Sequence, residues 1–328
     1  MWFMRNAWRI TPPVIGIAAL GVAIYLGGPF RIAAALERAD PLLLAIATGT
    51  ESLAIVLTGL AWHNIIGGIS PRPRAVDSIK ATGLEIFVDA TIPTGSVGGE
   101  LLRITYAYNK MGISVWNSLA AAVVLRVMVA GVLSSLLVAA AYMGLAHLSE
   151  MWILLVASLA AIAIISVVAA FPSKIAKLAP GRYRTIADAV LGPISKALRS
   201  RGAIIALALV AAEIMSSAAT QMLAFSALGA RIPYYFVLAA YPIYDVLVAL
   251  PTGIPGSFGV ADVGTSLIYA SFGVGWPTAL AAMISTRVVC LIADAALGLP
   301  TFLTDGRHMA PPSDLRGMLS SLRSGGSP

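Results

Sequence analysis

Charge is what this chain of 328 residues has least of: Asp, Glu, Lys and Arg together make up 11% of it. An ordinary soluble domain carries roughly 25%, so a water-facing globular surface is excluded. Cysteine is nearly absent as well, and the single Cys290 rules out an intrachain disulfide. The three histidines, His63, His147 and His308, are scattered near the ends of apolar segments. That scarcity leaves no His/Cys cluster with metal-ligand spacing and no nucleophile–base pairing. No catalytic residue, metal or cofactor is therefore expected, and the chain is not read as an enzyme. Basic residues at the ends of apolar runs account for the net charge of +7, so nucleic acid is not expected as a partner.

What is abundant is apolar: 59% of the residues, with a mean hydropathy of +0.88. Repeated runs reach the roughly 20 residues needed to cross a bilayer. The expected fold class is an all-α polytopic membrane protein with six full spans at about 12–28, 42–62, 115–146, 152–172, 203–226 and 277–303. The first of these follows Arg5 and Arg9 and lacks a small-x-small cleavage site, so it is expected to be a retained helix. Two further apolar segments, 81–110 and 234–272, are interrupted by Pro93-Thr94-Gly95-Ser96 and by Pro251-Thr252-Gly253-Ile254-Pro255-Gly256. Lipid cannot satisfy broken backbone, so such turns must be enclosed by protein or line a wet cavity. Helical hairpins that dip in and return are one reading; two full crossings joined by an interfacial loop are the other.

The two interruptions are copies. At an offset of 161, positions 95 to 126 match 256 to 287 at nine places, among them Gly95/Gly256, Ser96/Ser257, Gly98/Gly259, Tyr108/Tyr269 and Arg126/Arg287. Loop charges orient them. The N-terminus, the 63–80 and 173–202 loops and the tail hold 15 basic residues, whereas the opposite connections hold Arg31, Arg38 and Arg231. Both termini are therefore expected in the cytoplasm of a cell-membrane protein. Threading the spans in this orientation makes the hairpins enter from opposite faces, an inverted-topology repeat with one site between two gates. The domain reading is one transmembrane unit over 1–304, with repeat 1 at about 42–146, repeat 2 at about 203–303 and a short polar tail, 305–328. The 173–202 stretch reads either as a basic amphipathic helix on the inner leaflet or as an ordinary basic loop.

Charges inside apolar segments cost roughly 2.5–3.5 kcal/mol each at mid-span, so they must pair, meet water or face the bundle interior. Eight acids do so, Glu51, Glu85, Asp89, Glu100, Glu213, Asp245, Asp262 and Asp294, together with Arg103, Arg126 and Arg287. Guanidinium groups fork onto phosphate oxygens, and glycine-rich helix starts offer N–H donors to anions. The expected substrate-binding set is Gly95, Ser96, Glu100, Arg103, Arg126, Gly256, Ser257, Asp262 and Arg287. The expected coupling acids are Glu51, Glu85, Asp89, Glu213 and Asp245. The same arginines could instead be salt-bridge partners of these acids, holding the repeats together. Glu100 and Arg103 have only Ala261 and Gly264 opposite them, so the first hairpin is expected to select the headgroup.

Pro255-Gly256-Ser257-Phe258-Gly259-Val260-Ala261-Asp262, then Phe272-Gly273-Val274 and Arg287, resembles the C-terminal signature of the lysylphosphatidylglycerol synthase transmembrane region, a flippase-like family. Gly98-Gly99-Glu100-Leu101-Leu102-Arg103 and Gly112-Ile113-Ser114 resemble its N-terminal element. The likeness covers about 10–305. Ser257 stands for a glycine of the motif and Asp262 for its glutamate, and Leu125 precedes Arg126 where the family often has an acid. The resemblance implies lipid movement between leaflets, and the short tail implies that any aminoacyl or glycosyl transfer comes from a separate enzyme. The expected function is transport of an anionic phospho- or polyprenyl-linked lipid; a proton- or ion-coupled carrier of a small anionic solute is the alternative, and a membrane-embedded lipid-modifying enzyme a more distant one.

Overall fold

The computed structural model describes residues 21–22, 24–25, 28–92, 97–143, 156, 181–250 and 254–310, with backbone alone at 181–188. Among these residues the fold is helical throughout, with no strand. Among the described residues four helices are long and apolar enough to cross a membrane: α2 (Pro41–Ile66), α5 (Val115–Tyr142), α7 (Arg201–Ala227) and α10 (Trp276–Thr304). At 1.5 Å per residue each exceeds the ~30 Å hydrocarbon core. They match four of the six expected spans; the expected spans at 12–28 and 152–172 fall almost wholly outside the described residues.

Local chemistry sets the helix starts. Asp40 caps α2 by accepting from the N–H groups of Leu42 at 2.8 Å and Leu43 at 3.4 Å, with Pro41 in the first turn where no donor is needed. Ser114 caps α5 through the N–H of Asn117 at 3.2 Å. The shorter elements are α1 (Pro29–Glu37), α3 (Ala75–Thr91), α4 (Val97–Met111), α6 (Gly181–Leu198), α8 (Tyr234–Ala249) and α9 (Val260–Ser271), with single 3-10 turns at Pro255–Ser257 and Gly306–His308. Residue 92 and the undescribed 93–96 separate α3 from α4, and 250–259 separate α8 from α9. By the same rise per residue these four half-elements are ~18–26 Å long, each shorter than the hydrocarbon core. Within each pair the two halves pack on each other.

Four packing relations position the site. Helices α2 and α7 share the most extensive contact in the fold. Across it the Thr50 and Thr220 hydroxyls lie 2.9 Å apart and Ser216 donates to the Thr50 carbonyl at 2.7 Å. Helix α3 lies on α10 without space for side chains: a Cβ on Gly83 would stand 3.1 Å from the Leu297 carbonyl oxygen, and one on Gly298 would collide with Phe87. Of the two readings of 173–202, helix or loop, the chain takes a helix over Gly181–Leu198, α6, whose apolar residues Ile194 and Ala197 pack into the core beside α5. The apolar side chains of its second half therefore meet protein. The end of α10 is tied to α4, since the Tyr106 hydroxyl donates to Asp305 at 2.7 Å and Asn109 donates to the His308 and Ala310 carbonyls at 2.9 Å.

Candidate functional site: a charged cavity between two broken hairpins

Glu51 of α2, Glu85 and Asp89 of α3, Arg126 of α5, Glu213 of α7, Asp245 of α8 and Arg287 and Asp294 of α10 all line one cavity of about 230 Å³. Gly256 and Ser257 close it from the 3-10 turn, and Tyr241, Tyr244, Ser217 and Cys290 complete the polar wall. Helical periodicity explains how single helices contribute more than one group. Glu85 and Asp89, Glu213 and Ser217, and Tyr241 and Asp245 are four apart, hence on one face. Arg287, Cys290 and Asp294 follow the same i, i+3, i+7 rule. Six carboxylates thus face two guanidiniums in a space lined by six helices.

The arginines are not equivalent. Arg287 is buried and fixed: its Nε and Nη2 donate to one oxygen of Asp262 at 3.1 and 3.0 Å, while its guanidinium lies 5.9 Å from the Phe258 ring centre. Arg103 is 1% exposed and does not reach the cavity. It clasps both oxygens of Glu100 at 2.7 Å and stands 2.6 Å from Glu85, close enough for full Coulomb attraction although poorly aligned for a hydrogen bond. Beneath it lies the Trp62 ring at 5.4 Å. Arg126 is different again, with a side chain 58% exposed and a single long contact to Glu85 at 3.5 Å. Glu85 is the shared partner, so Arg103 fixes it from behind and leaves Arg126 as the cavity's adaptable cation.

The two half-helix starts are partly filled by the protein's own anions. Asp89 accepts from the Gly99 N–H of α4 at 2.9 Å, and Asp262 accepts from the Gly259 N–H, just before α9, also at 2.9 Å. Each carboxylate meets the positive end of a helix. Gly99 has no space for a side chain, because a Cβ there would lie 2.6 Å from the Asp89 carboxyl carbon. On the second tip the Ser257 hydroxyl turns to the Val248 and Leu250 carbonyls at 3.0 and 3.2 Å, satisfying the end of α8. Gly256 takes a left-handed conformation, φ 53°, that an L side chain rarely adopts, and Ala90 of α3 lies beside it. The second tip therefore touches the helix that leads into the first.

Of the expected substrate-binding residues, Arg126, Gly256, Ser257 and Arg287 lie on the cavity wall, while Glu100, Arg103 and Asp262 stand behind it as partners of wall residues. Burial of Arg103 between two carboxylates removes it from direct contact with anything the cavity holds. Gly95 and Ser96 lie outside the described residues. All five expected coupling acids, Glu51, Glu85, Asp89, Glu213 and Asp245, are on the wall. Asp294, Cys290 and the two tyrosines were not among the expected site residues. Their spacing from Arg287 and Asp245 along one helix face was the available signal.

A search of curated proteins finds no match to the chain. The family model described as "Lysylphosphatidylglycerol synthase TM region" matches residues 13–298. This span holds every element that walls the cavity, and the chain belongs to the lysylphosphatidylglycerol synthase TM region family.

Proposed function

We propose that the protein moves a phosphate-bearing membrane lipid across the bilayer, with the headgroup passing through the charged cavity. Membership of a family named for a lipid-synthase membrane region supports lipid as the cargo. The observation that carries the reading is the cavity itself, where charges from α2, α3, α5, α7, α8 and α10 meet between two half-length hairpins. Inserting so many charges is costly, and a purely structural core would pair them off. Arg103 and Arg287 are paired; Arg126 keeps an exposed guanidinium suited to a phosphate. In this reading the hairpins α3–α4 and α8–α9 are re-entrant, enter from opposite faces and form an inverted repeat around the site. Both ends of the chain then face the cytoplasm, and the membrane is the cell membrane.

A second reading of the headgroup rests on one observation: six carboxylates share the wall with two guanidiniums. A headgroup that brings an amine beside its phosphate would complement that surplus, with Arg126 on the phosphate and the acids around the amine. The test is headgroup translocation in proteoliposomes, using lipids with and without an amine. Arg126→Ala should slow translocation of every phosphate lipid at least tenfold. An unchanged rate would overturn the assignment.

A further inference from the structure

Six of the charged cavity's lining residues, Ala90, Ile254, Gly256, Arg287, Cys290 and Asp294, also line a neighbouring space of about 360 Å³. Among the described residues, the remaining walls of this slot are apolar: Pro255, Phe258 and Leu291. Arg287 stands at the junction, held by Asp262 on one side and lying over the Phe258 ring on the other. Leu291, 38% exposed, marks where the slot meets the outer face of α10, beside the exposed Val288 and Ile292. A polar chamber beside a larger, mainly apolar one, with a fixed cation on the wall they share, has the polarity of an amphiphile.

We infer that this slot between Pro255–Phe258 and α10 seats the first segment of the cargo's hydrocarbon chain while the headgroup occupies the charged cavity. The inference rests on the lipid-transport reading and goes beyond it: part of the chain is enclosed by protein instead of trailing in the bilayer. Two things point the slot to hydrocarbon. Among the described residues its walls beyond the junction offer apolar side chains, and the wall it shares with the charged cavity sets its occupant beside a polar group. A small anionic solute would occupy the cavity and leave the slot unused.

Binding of water-soluble glycerophosphate and its monoacyl esters with butanoyl, hexanoyl and octanoyl chains, measured on the full chain in amphipol, tests this. Burying a methylene contributes about 0.8 kcal/mol, so affinity should rise about fourfold per added methylene until the slot is full. Leu291→Trp fills the slot from its outer edge and should flatten that rise at least tenfold for the octanoyl ester while leaving glycerophosphate binding within twofold. Leu291→Ala, which widens the same edge, should keep the rise. Equal dependence on chain length in the wild type and Leu291→Trp, or no dependence in either, would overturn the slot. Failure of every compound to bind, glycerophosphate included, would instead overturn the headgroup reading, and the slot with it.

Discussion

Arg287 and Asp262 are joined by two donors on one acceptor: Nε at 3.1 Å and Nη2 at 3.0 Å both reach Oδ1, while Oδ2 takes the Gly259 N–H at 2.9 Å. One carboxylate thereby ties α10 to the start of α9 and gives a buried guanidinium its counter-charge. Removing one member of such a pair leaves the other charged and unpartnered, which costs about 3–5 kcal/mol. Asp262→Asn is expected to lower thermal stability in detergent by that order. Asp262→Glu, which keeps the carboxylate, should restore most of it.

Arg126 should behave in the opposite way. Its side chain is 58% exposed and its contact with Glu85 is 3.5 Å long, so the pair is worth about 0–1 kcal/mol. Arg126→Ala should leave the unfolding transition within that range while slowing headgroup transport at least tenfold. A large loss of stability would recast Arg126 as structural.

Gly99 is expected to tolerate nothing larger. A Cβ would press on the Asp89 carboxyl that the Gly99 N–H holds, so Gly99→Ala should separate α3 from α4. Gly131 has nothing within 4 Å of a Cβ and lies inside α5. Gly131→Ala should be neutral or stabilising by up to about 1 kcal/mol. Thermal unfolding of the two variants side by side checks both, and equal effects would contradict the tight α3–α4 seam.

Between α2 and α7, the contacts of Thr50 with Thr220 and Ser216 join helices across apolar surroundings. Interhelical hydrogen bonds of this kind average about 0.6 kcal/mol in double-mutant cycles. A cycle of Thr50→Val and Thr220→Val should return a coupling near that value, and zero coupling would mean the hydroxyls find other partners.

Asp305, just past the end of α10, is held below the ordinary carboxylate range, chiefly because the Tyr106 hydroxyl donates to it, with Lys110 and Lys80 assisting. A group whose pKa is lowered by folding contributes stability that is present above its unfolded pKa and lost as pH falls through the folded one. Wild type should therefore exceed Tyr106→Phe in stability at neutral pH. The gap should close as pH falls below about 4. A gap that is constant from pH 7 to pH 3 would show that the hydroxyl contact, not the charge, matters.

How far the sequence was legible depends on the kind of question. Long uninterrupted hydropathy marked α2, α5, α7 and α10 within a few residues, because a span has no other way to satisfy its backbone. The breaks near Pro93 and Pro251 were legible for the same reason. Intramembrane charge then picked out Glu51, Glu85, Asp89, Glu213 and Asp245, all of which face the one cavity. What composition could not say is which side of a helix a charge occupies relative to helices distant in sequence. Arg103 and Arg126 look alike as isolated arginines in apolar runs, yet Trp62, Glu85 and Glu100 enclose the first and leave the second exposed. Asp294 is the converse, a member of the cavity by its spacing from Arg287.

The seam between α3 and α10 has a mechanical consequence. With backbone nearly against backbone at Gly83 and Gly298, neither helix can slide freely past the other, and the end of α10 is further latched to α4 through Tyr106 and Asp305. Any rearrangement that opens the cavity must carry them as a single lever, and the give must come from elsewhere. The meeting of Gly256 with Ala90 is the natural parting line, and one residue's bulk there would wedge it ajar.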